Sequence, residues 1–319
     1  MFKAFTSATA LAAALLASAP AAAQNDYPNR AVKIIVPFGP GSVPDILARG
    51  LAVPLSARLG QQFVVENKTG GSGALGTMTV ARADADGYTL LLAPALVLSV
   101  LPQARGVDAG YTPNALVPIC QTFINTMGLV VRPDSPIRTI SDMVAVAKQK
   151  PGALNYGHPG VLTIPQLAME EFMQAAEVDI KDIPFRSGPQ SIAELLGGRL
   201  DLVSLVMGTE VGQNVRVIGV FGEKRFGSAP DVPTVKEQGH NVSPSSFGGL
   251  LAPAGTSPAV TARLAAACAD ASKDEIYATT AKRAGQPADY YDDADSFRRR
   301  LASDIESKAR VLARLKAQP

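Results

Sequence analysis

The sequence predicts a two-lobed α/β protein, each lobe a mixed, mainly parallel sheet flanked by helices. Three observations carry this. Short, β-rich apolar runs alternate with helix-length segments along the chain. The first of these runs passes through a glycine-rich turn straight into a helix, which is how a parallel crossover begins. The strand–helix rhythm then starts afresh near residue 128 and rejoins the first sheet near residue 247, so one lobe is inserted into the other.

The N-terminus reads as a secretory signal. Lys3 gives a positive start, ATALAAALLAS (8–18) an apolar core, and Ala21-Ala22-Ala23 a small-residue cleavage site. The core is too short to span a bilayer, and no later run reaches the ~18 apolar residues of a membrane helix. Residues 1–23 are therefore expected to be removed and the rest exported to the periplasm. What remains, roughly 300 residues, divides more naturally into two lobes than one.

The net charge of +2 points to no polyanion partner. Arg298, Arg299 and Arg300 sit among Asp292, Asp293, Asp295 and Asp304, as on a solvated helix face. No basic stripe with interleaved aromatics suggests nucleic acid. The two cysteines, Cys120 and Cys268, lie in apolar segments where buried free thiols are common. A disulfide between them is the alternative for an exported protein, and sequence does not show their separation. Two cysteines and two histidines without close spacing argue against a zinc site, and no metal or cofactor is expected.

The elements follow in order. Val32–Val36 is apolar apart from Lys33 and suits a strand buried on both faces, stopped by Pro37. Phe38-Gly39-Pro40-Gly41-Ser42 is a loop built for close approach, with Ser42 placed to cap a helix starting near Pro44. The free N–H groups of that turn form a potential anion site. FVVE (63–66) is a second strand, followed by a glycine-rich loop and a helix to about Ala83; TLLLA (89–93) is a third, and LVPICQT (116–122) leaves the lobe.

The second lobe repeats this with strands at 128–131, 154–156, 182–185 and 200–205, and helices opening at Thr139 or Ser141, near Pro165, and after Arg186-Ser187-Gly188-Pro189. VRVIGVF (215–221) carries the chain back, Phe247–Ala252 rejoins the first sheet, and two or three helices finish it. The divisions are 24–123 with 222–319 for the first lobe and 124–221 for the second. A ligand cleft at the carboxyl ends of the strands, between the lobes, is what this layout implies.

Several stretches carry a family resemblance: YPNRAVKIIVPFGPG, VVENKTGGSGALG, DGYTLLLA, LNYG, IPFRSG…ELLGGRLDL, DVPTVKEQG and GLLAPAGTSP. In this order, over nearly the whole exported chain, they resemble the extracytoplasmic receptors of tripartite tricarboxylate transporters, the Bug family. The resemblance implies a type II periplasmic-binding-protein fold with Venus-flytrap closure. It also implies a small organic carboxylate as ligand, membrane transporter subunits as partners, and a monomeric, non-catalytic receptor. Feeding a sensor kinase is a second role that sequence does not separate from transport.

Candidate ligand-binding residues come from both lobes. In the first loop, Phe38, Gly39, Gly41, Ser42 and Asp45 stand where the resemblance implies amides that hold a carboxylate, partly through water. Relatives read PFxAGGxxD there; PFGPGSVPD loses one amide donor to Pro40 and gains the Ser42 hydroxyl. Gly73 and Ala93 are further candidates; Gly73 belongs to a GxGxxG match (71–76) that lacks the acidic residue a dinucleotide site needs at the end of the next strand, where Ala93 stands. It reads as a second pocket loop or a packing turn.

In the second lobe the candidates are His158 and Thr163 in GHPGVLTIPQ, Arg186 and Ser187 at a helix start, and Ser204 near a strand end. Arg186 has the planar fork that clamps a carboxylate. Apolar residues stand where relatives are polar or acidic: Pro94-Ala95-Leu96-Val97-Leu98, Val161, Leu162 and Leu205. If they line the cleft, the ligand is a carboxylate with an apolar body, aromatic or aliphatic; the alternative is that they face the core. An exported enzyme is the rival class, but neither histidine has a visible catalytic partner and there is no G-x-S-x-G elbow.

Overall fold

β1 (Val32–Val36) is buried on both faces except at Lys33 and forms the middle of a parallel trio. The computed structural model describes residues 27–316 except 209, 211, 212, 223, 243, 245 and 289, so the signal segment lies outside the described residues. α1 (Val43–Leu59) follows β1, with Pro44 in its first turn. Next come β2 (Phe63–Asn67), α2 (Ala74–Ala81) and β3 (Thr89–Pro94). The stretch after β3 is not a simple loop: its apolar residues form two short helices, α3 (Leu96–Ser99) and α4 (Leu101–Arg105). β4 (Leu116–Ile124) then runs to the second sheet.

That sheet contains β5 (Met127–Val131), β6 (Asn155–His158), β7 (Lys181–Pro184), β8 (Leu202–Val206) and β9 (Arg216–Phe221). Its helices are α5 (Ile140–Gln149), opened by a Thr139–Asp142 capping box, α6 (Ile164–Ala176) and α7 (Gly188–Leu196). β10 (Phe247–Pro253) returns to the first sheet, followed by α8 (Pro258–Ala271), α9 (Glu275–Arg283), β11 (Asp292–Asp293) and α10 (Ala294–Lys316).

Strand orders are β11-β4-β10-β3-β1-β2 and β7-β6-β8-β5-β9. In both sheets the first parallel strand lies between the next two: β1 between β2 and β3, β6 between β7 and β8. The chain must therefore reverse its direction of travel across the sheet beside β1 and again beside β6. Such switch points open a crevice at the carboxyl ends of the strands. Two crevices result, one per sheet.

The crossing segments are held together. Asn125 N–H donates to the Ser246 carbonyl (2.8 Å), its side-chain amide donates to Ser246 Oγ (3.1 Å), and Met207 N–H donates to the Thr126 carbonyl (2.8 Å). The return path differs from the sequence expectation, which gave everything after residue 221 to the first lobe. Residues 226–242 instead pack on the second sheet. Val235 N–H donates to Val220 O (2.9 Å), Gln238 bridges Ile218 O and Ile140 N–H, and His240 stacks edge-on against Phe172. Phe226 and Val232 join the apolar cluster under α7, so this segment follows its own hydrophobic side chains.

The cysteines form a disulfide, Cys120–Cys268, rather than the free thiols expected. α8 lies against β4, which brings the two Cα atoms to 6.5 Å across 148 residues of sequence. Among the described residues no helix is long and apolar enough to cross a membrane.

Candidate ligand site between the lobes

The first lobe's half of the site is the turn from β1 into α1. Asp45, only 3% exposed, is its organising group. Its carboxylate accepts from Gly41 N–H (2.9 Å) and from the Asn67 side-chain amide (2.9 Å), and pairs with Arg49 (2.9 Å). Asn67, at the end of β2, also donates to the Phe38 carbonyl (3.0 Å), so one side chain ties both ends of the loop. Burial alone would raise the Asp45 pKa; the bonds from Arg49, Gly41 and Asn67 outweigh it and hold the group below the usual carboxylate range. Asp45 therefore shapes the loop and has its oxygens engaged.

Ser42 occupies the N-cap position of α1 in an extended conformation, but its hydroxyl makes no capping bond, contrary to expectation. Its Oγ is enclosed and has no partner among the described residues. A 17-residue helix thus begins beside an unengaged hydroxyl, while the turn amides expected to be free are taken, Gly41 N–H by Asp45 and Ser42 N–H by the Gly39 carbonyl.

Gly73 lies where a Cβ would come within 3.2 Å of the Phe38 ring and 3.3 Å of Val97, which brings the loops after β1, β2 and β3 together. A Cβ at Gly76 would sit 2.6 Å from the Lys68 carbonyl and 2.8 Å from Pro37 Cα. The GxGxxG spacing is thereby explained by α2 packing on the end of β1. Ala93 is fully buried in β3, paired with Gly249 of β10.

The second lobe contributes the loops after β6 and β7. His158 is fully buried: Nδ1 lies 2.9 Å from the Gly160 carbonyl, which places the ring proton there, and Nε2 lies 3.4 Å from Asp182. Burial lowers its pKa, with the Gly160 and Asp182 contacts opposing only in part. Thr163 donates its hydroxyl to the same Gly160 carbonyl (2.6 Å), and Leu162 N–H donates to Gln166 Oε1 (2.7 Å). His158 and Thr163 are both engaged in bracing this loop.

Ser204 is buried and donates to the Pro165 carbonyl (2.8 Å) in the first turn of α6. Its neighbour Leu205 points the other way, into the cluster with Ile192 and Leu195 of α7. Leu205 is therefore core, as the period of two along a strand allows.

Ser187 caps α7, accepting from Gln190 N–H (3.3 Å). Gln190 in turn accepts from Arg186 N–H (3.1 Å), while the exposed Arg186 guanidinium has no partner among the described residues. The loops 38–42, 159–163 and 185–187 contain no acidic side chain of their own, and the carboxylate bonded to the first of them, Asp45, is paired with Arg49.

The two halves meet. Ser72 Oγ in the loop after β2 donates to the Val161 carbonyl in the loop after β6 (2.9 Å). A Cβ on Gly160 would lie 3.8 Å from both Ser72 Oγ and the Phe185 carbonyl. A line of neighbours therefore runs from Phe38 through Gly73 and Ser72 to Val161, Gly160, Phe185 and Arg186. Sequence reading missed Asn67 and Ser72. Asn67 left a signal, a polar side chain ending a strand just before a glycine-rich loop; the role of Ser72 depends on a contact 89 residues away.

A family profile described as "Tripartite tricarboxylate transporter family receptor" matches residues 47–316. The chain belongs to this receptor family. A UPF0065 protein from the gbd 5' region of Cupriavidus necator is 37% identical over 262 residues, covering 81% of this chain and 79% of that protein. BugT of Bordetella pertussis is 31% identical, covering 73% of this chain and 74% of its own.

Among solved structures, a periplasmic transporter is similar at TM-score 0.82 and 30% identity, covering 90% of this chain and 97% of its own. R. palustris Rpa4515 with adipate superposes equally well, TM-score 0.82, at 25% identity over 90% and 99% of the two chains. The tripartite tricarboxylate transporter receptors are solute-binding proteins of the periplasmic-binding-protein fold, and the two mixed sheets flanked by helices seen here are that fold.

Proposed function

We propose that this receptor binds a small organic carboxylate between its lobes, closes over it, and presents it in the periplasm to the membrane subunits of a tripartite tricarboxylate-type transporter. The observation that carries the reading is that the line of neighbours joining the lobes runs from the loop before α1, which ends in the unengaged Ser42 hydroxyl, to the loop before α7, which holds the unpaired Arg186 guanidinium. Asp45 takes the Gly41 N–H but is paired with Arg49, and the loops themselves carry no other carboxylate. The similarity to a receptor solved with adipate supports the same ligand class.

The body of the ligand is proposed to be apolar, aromatic or medium-chain aliphatic. Leu205 no longer argues for this, since it faces the core. Leu96, Val97 and Leu98 are likewise buried in the core, which leaves Phe38 and the half-exposed Val161, both in the line of residues joining the lobes. An acidic amino acid would need acceptors for its ammonium group, and the loops supply backbone carbonyls and hydroxyls but no carboxylate of their own.

The test is a thermal-shift panel on the processed protein: aliphatic dicarboxylates including adipate, aromatic carboxylates, citrate and acidic amino acids. A ligand at 100 times its Kd adds about 2.7 kcal/mol to stability, a rise of several degrees in Tm. Shifts with apolar-bodied carboxylates are expected, with the ligand recovered chemically intact. Shifts confined to amino acids or citrate would remove the apolar-body reading, and no shift with any carboxylate would remove the receptor reading for this class.

A further inference from the structure

We propose that Ser72 fastens the two lobes over the ligand, as a positioning residue that sets how long the ligand stays without touching it; this rests on the carboxylate-receptor reading above. Ser72 stands at φ 56°, ψ 28°, between Gly71 and Gly73, which also have positive φ. This backbone conformation suits glycine, and side chains rarely adopt it. A serine held there keeps a strained backbone in place, and such strain persists where the surroundings over-determine it, often at clamps and switches. What serine brings that glycine lacks is the hydroxyl, and that hydroxyl spans the lobes to the Val161 carbonyl.

The acceptor is equally pre-set. Leu162, the next residue, is the other non-glycine of this site at positive φ (62°). Its N–H is held by Gln166, and the carbonyl before Val161 is held by Thr163 and His158. Both loops are thus shaped within their own lobes, Ser72 by the turn in which Gly73 and Leu75 N–H both donate to Gly70 O, before they meet. The donor follows β2 in one sheet and the acceptor follows β6 in the other, so the bond exists only at this lobe separation. It therefore favours the closed state selectively, which is what shifts an open–closed equilibrium.

The experiment compares wild type with Ser72→Gly and Ser72→Ala. Nitroxide labels go on Val64→Cys in β2 and Leu196→Cys in α7, both exposed, with the native disulfide left oxidised. Electron–electron distance measurements on ligand-free protein give the ratio of close to distant lobes. Losing one neutral hydrogen bond should lower that ratio roughly 2- to 10-fold in both variants. Ser72→Gly, freed of its strain, should unfold no earlier than wild type. With adipate as the probe, dissociation should quicken by the same factor.

Unchanged distance ratios in both variants would overturn the proposal. So would a fall in Ser72→Gly alone, which would assign the effect to the backbone conformation and not to the hydroxyl. The distance measurement needs no ligand, so failure of adipate to bind would count against the receptor reading and leave the fastening decided separately.

Discussion

Replacing Asp45 by alanine isolates the group that shapes the first lobe's half of the site. The carboxylate receives two hydrogen bonds, from Gly41 N–H and from the Asn67 amide, each at 2.9 Å. Bonds to a charged acceptor contribute about 1.5–3 kcal/mol each. Gly41 is exposed, so its N–H regains water; the half-buried Asn67 amide regains less. The pair with the half-exposed Arg49 adds no more than about 1 kcal/mol. Roughly 2–4 kcal/mol of loop order should therefore be lost.

If that order must be restored when ligand binds, affinity for a carboxylate should fall by about 30-fold or more. Titration calorimetry with the best carboxylate of the panel, beside urea unfolding, measures both terms. Asp45→Asn should fall between, since its NH2 opposes that of Asn67. Wild-type affinity and an unchanged urea midpoint in Asp45→Ala would refute the reasoning. There is a pH signature as well. The folded pKa lies below the unfolded one, so this stabilisation is complete above about pH 4 and is lost as the pH falls through the folded value.

Three further outcomes are expected. Replacing Cys120 and Cys268 by alanine, or reducing their disulfide, should cost about 3–5 kcal/mol, since a cross-link over 148 residues of sequence removes much chain entropy from the unfolded state; equal urea midpoints with and without reductant would contradict this. His158, buried and neutral, has a folded pKa below its unfolded value of about 6.5, so its contribution is full above that pH and shrinks as acid favours the unfolded, protonated form. His158→Gln should flatten the stability–pH slope below roughly pH 6.5, and an unaltered slope would show that other groups cause it. Arg186→Ala should weaken carboxylate binding about tenfold and reduce its salt sensitivity while leaving stability unchanged, and unaffected binding would remove Arg186 from the site.

The fold was legible because its signals are local. Val32–Val36, the glycine-rich turn and Pro44 announce a strand, a loop and a helix within a dozen residues, and the same pattern recurs in the second lobe. What sequence left open depends on long-range contact. Cys120 and Cys268 look like buried thiols until α8 is laid on β4. Leu205 looks like cleft wall until its strand's register turns Ser204 toward α6 and Leu205 toward α7. The segment 226–242 follows β9 in sequence but docks by Val235 and Gln238, which carry no boundary signal.

Within the site, residue type marked the loops well and the roles less well. The sequence marks Asp45, His158 and Thr163 as ligand contacts, and each has its polar atoms engaged by neighbours in its own lobe. Ser42 and Arg186 are the two whose functional atoms stay unengaged. A polar residue in a glycine-rich turn is needed both to bind and to hold the turn's shape, and only its neighbours in space separate the two.

Amide hydrogen exchange with and without the carboxylate that gives the largest thermal shift tests the central claim most directly. Binding between the lobes should slow exchange together in two separate stretches, 38–43 before and into α1 and 186–190 before and into α7. Protection confined to one stretch, or found only on surfaces away from both, would contradict a ligand held between the lobes.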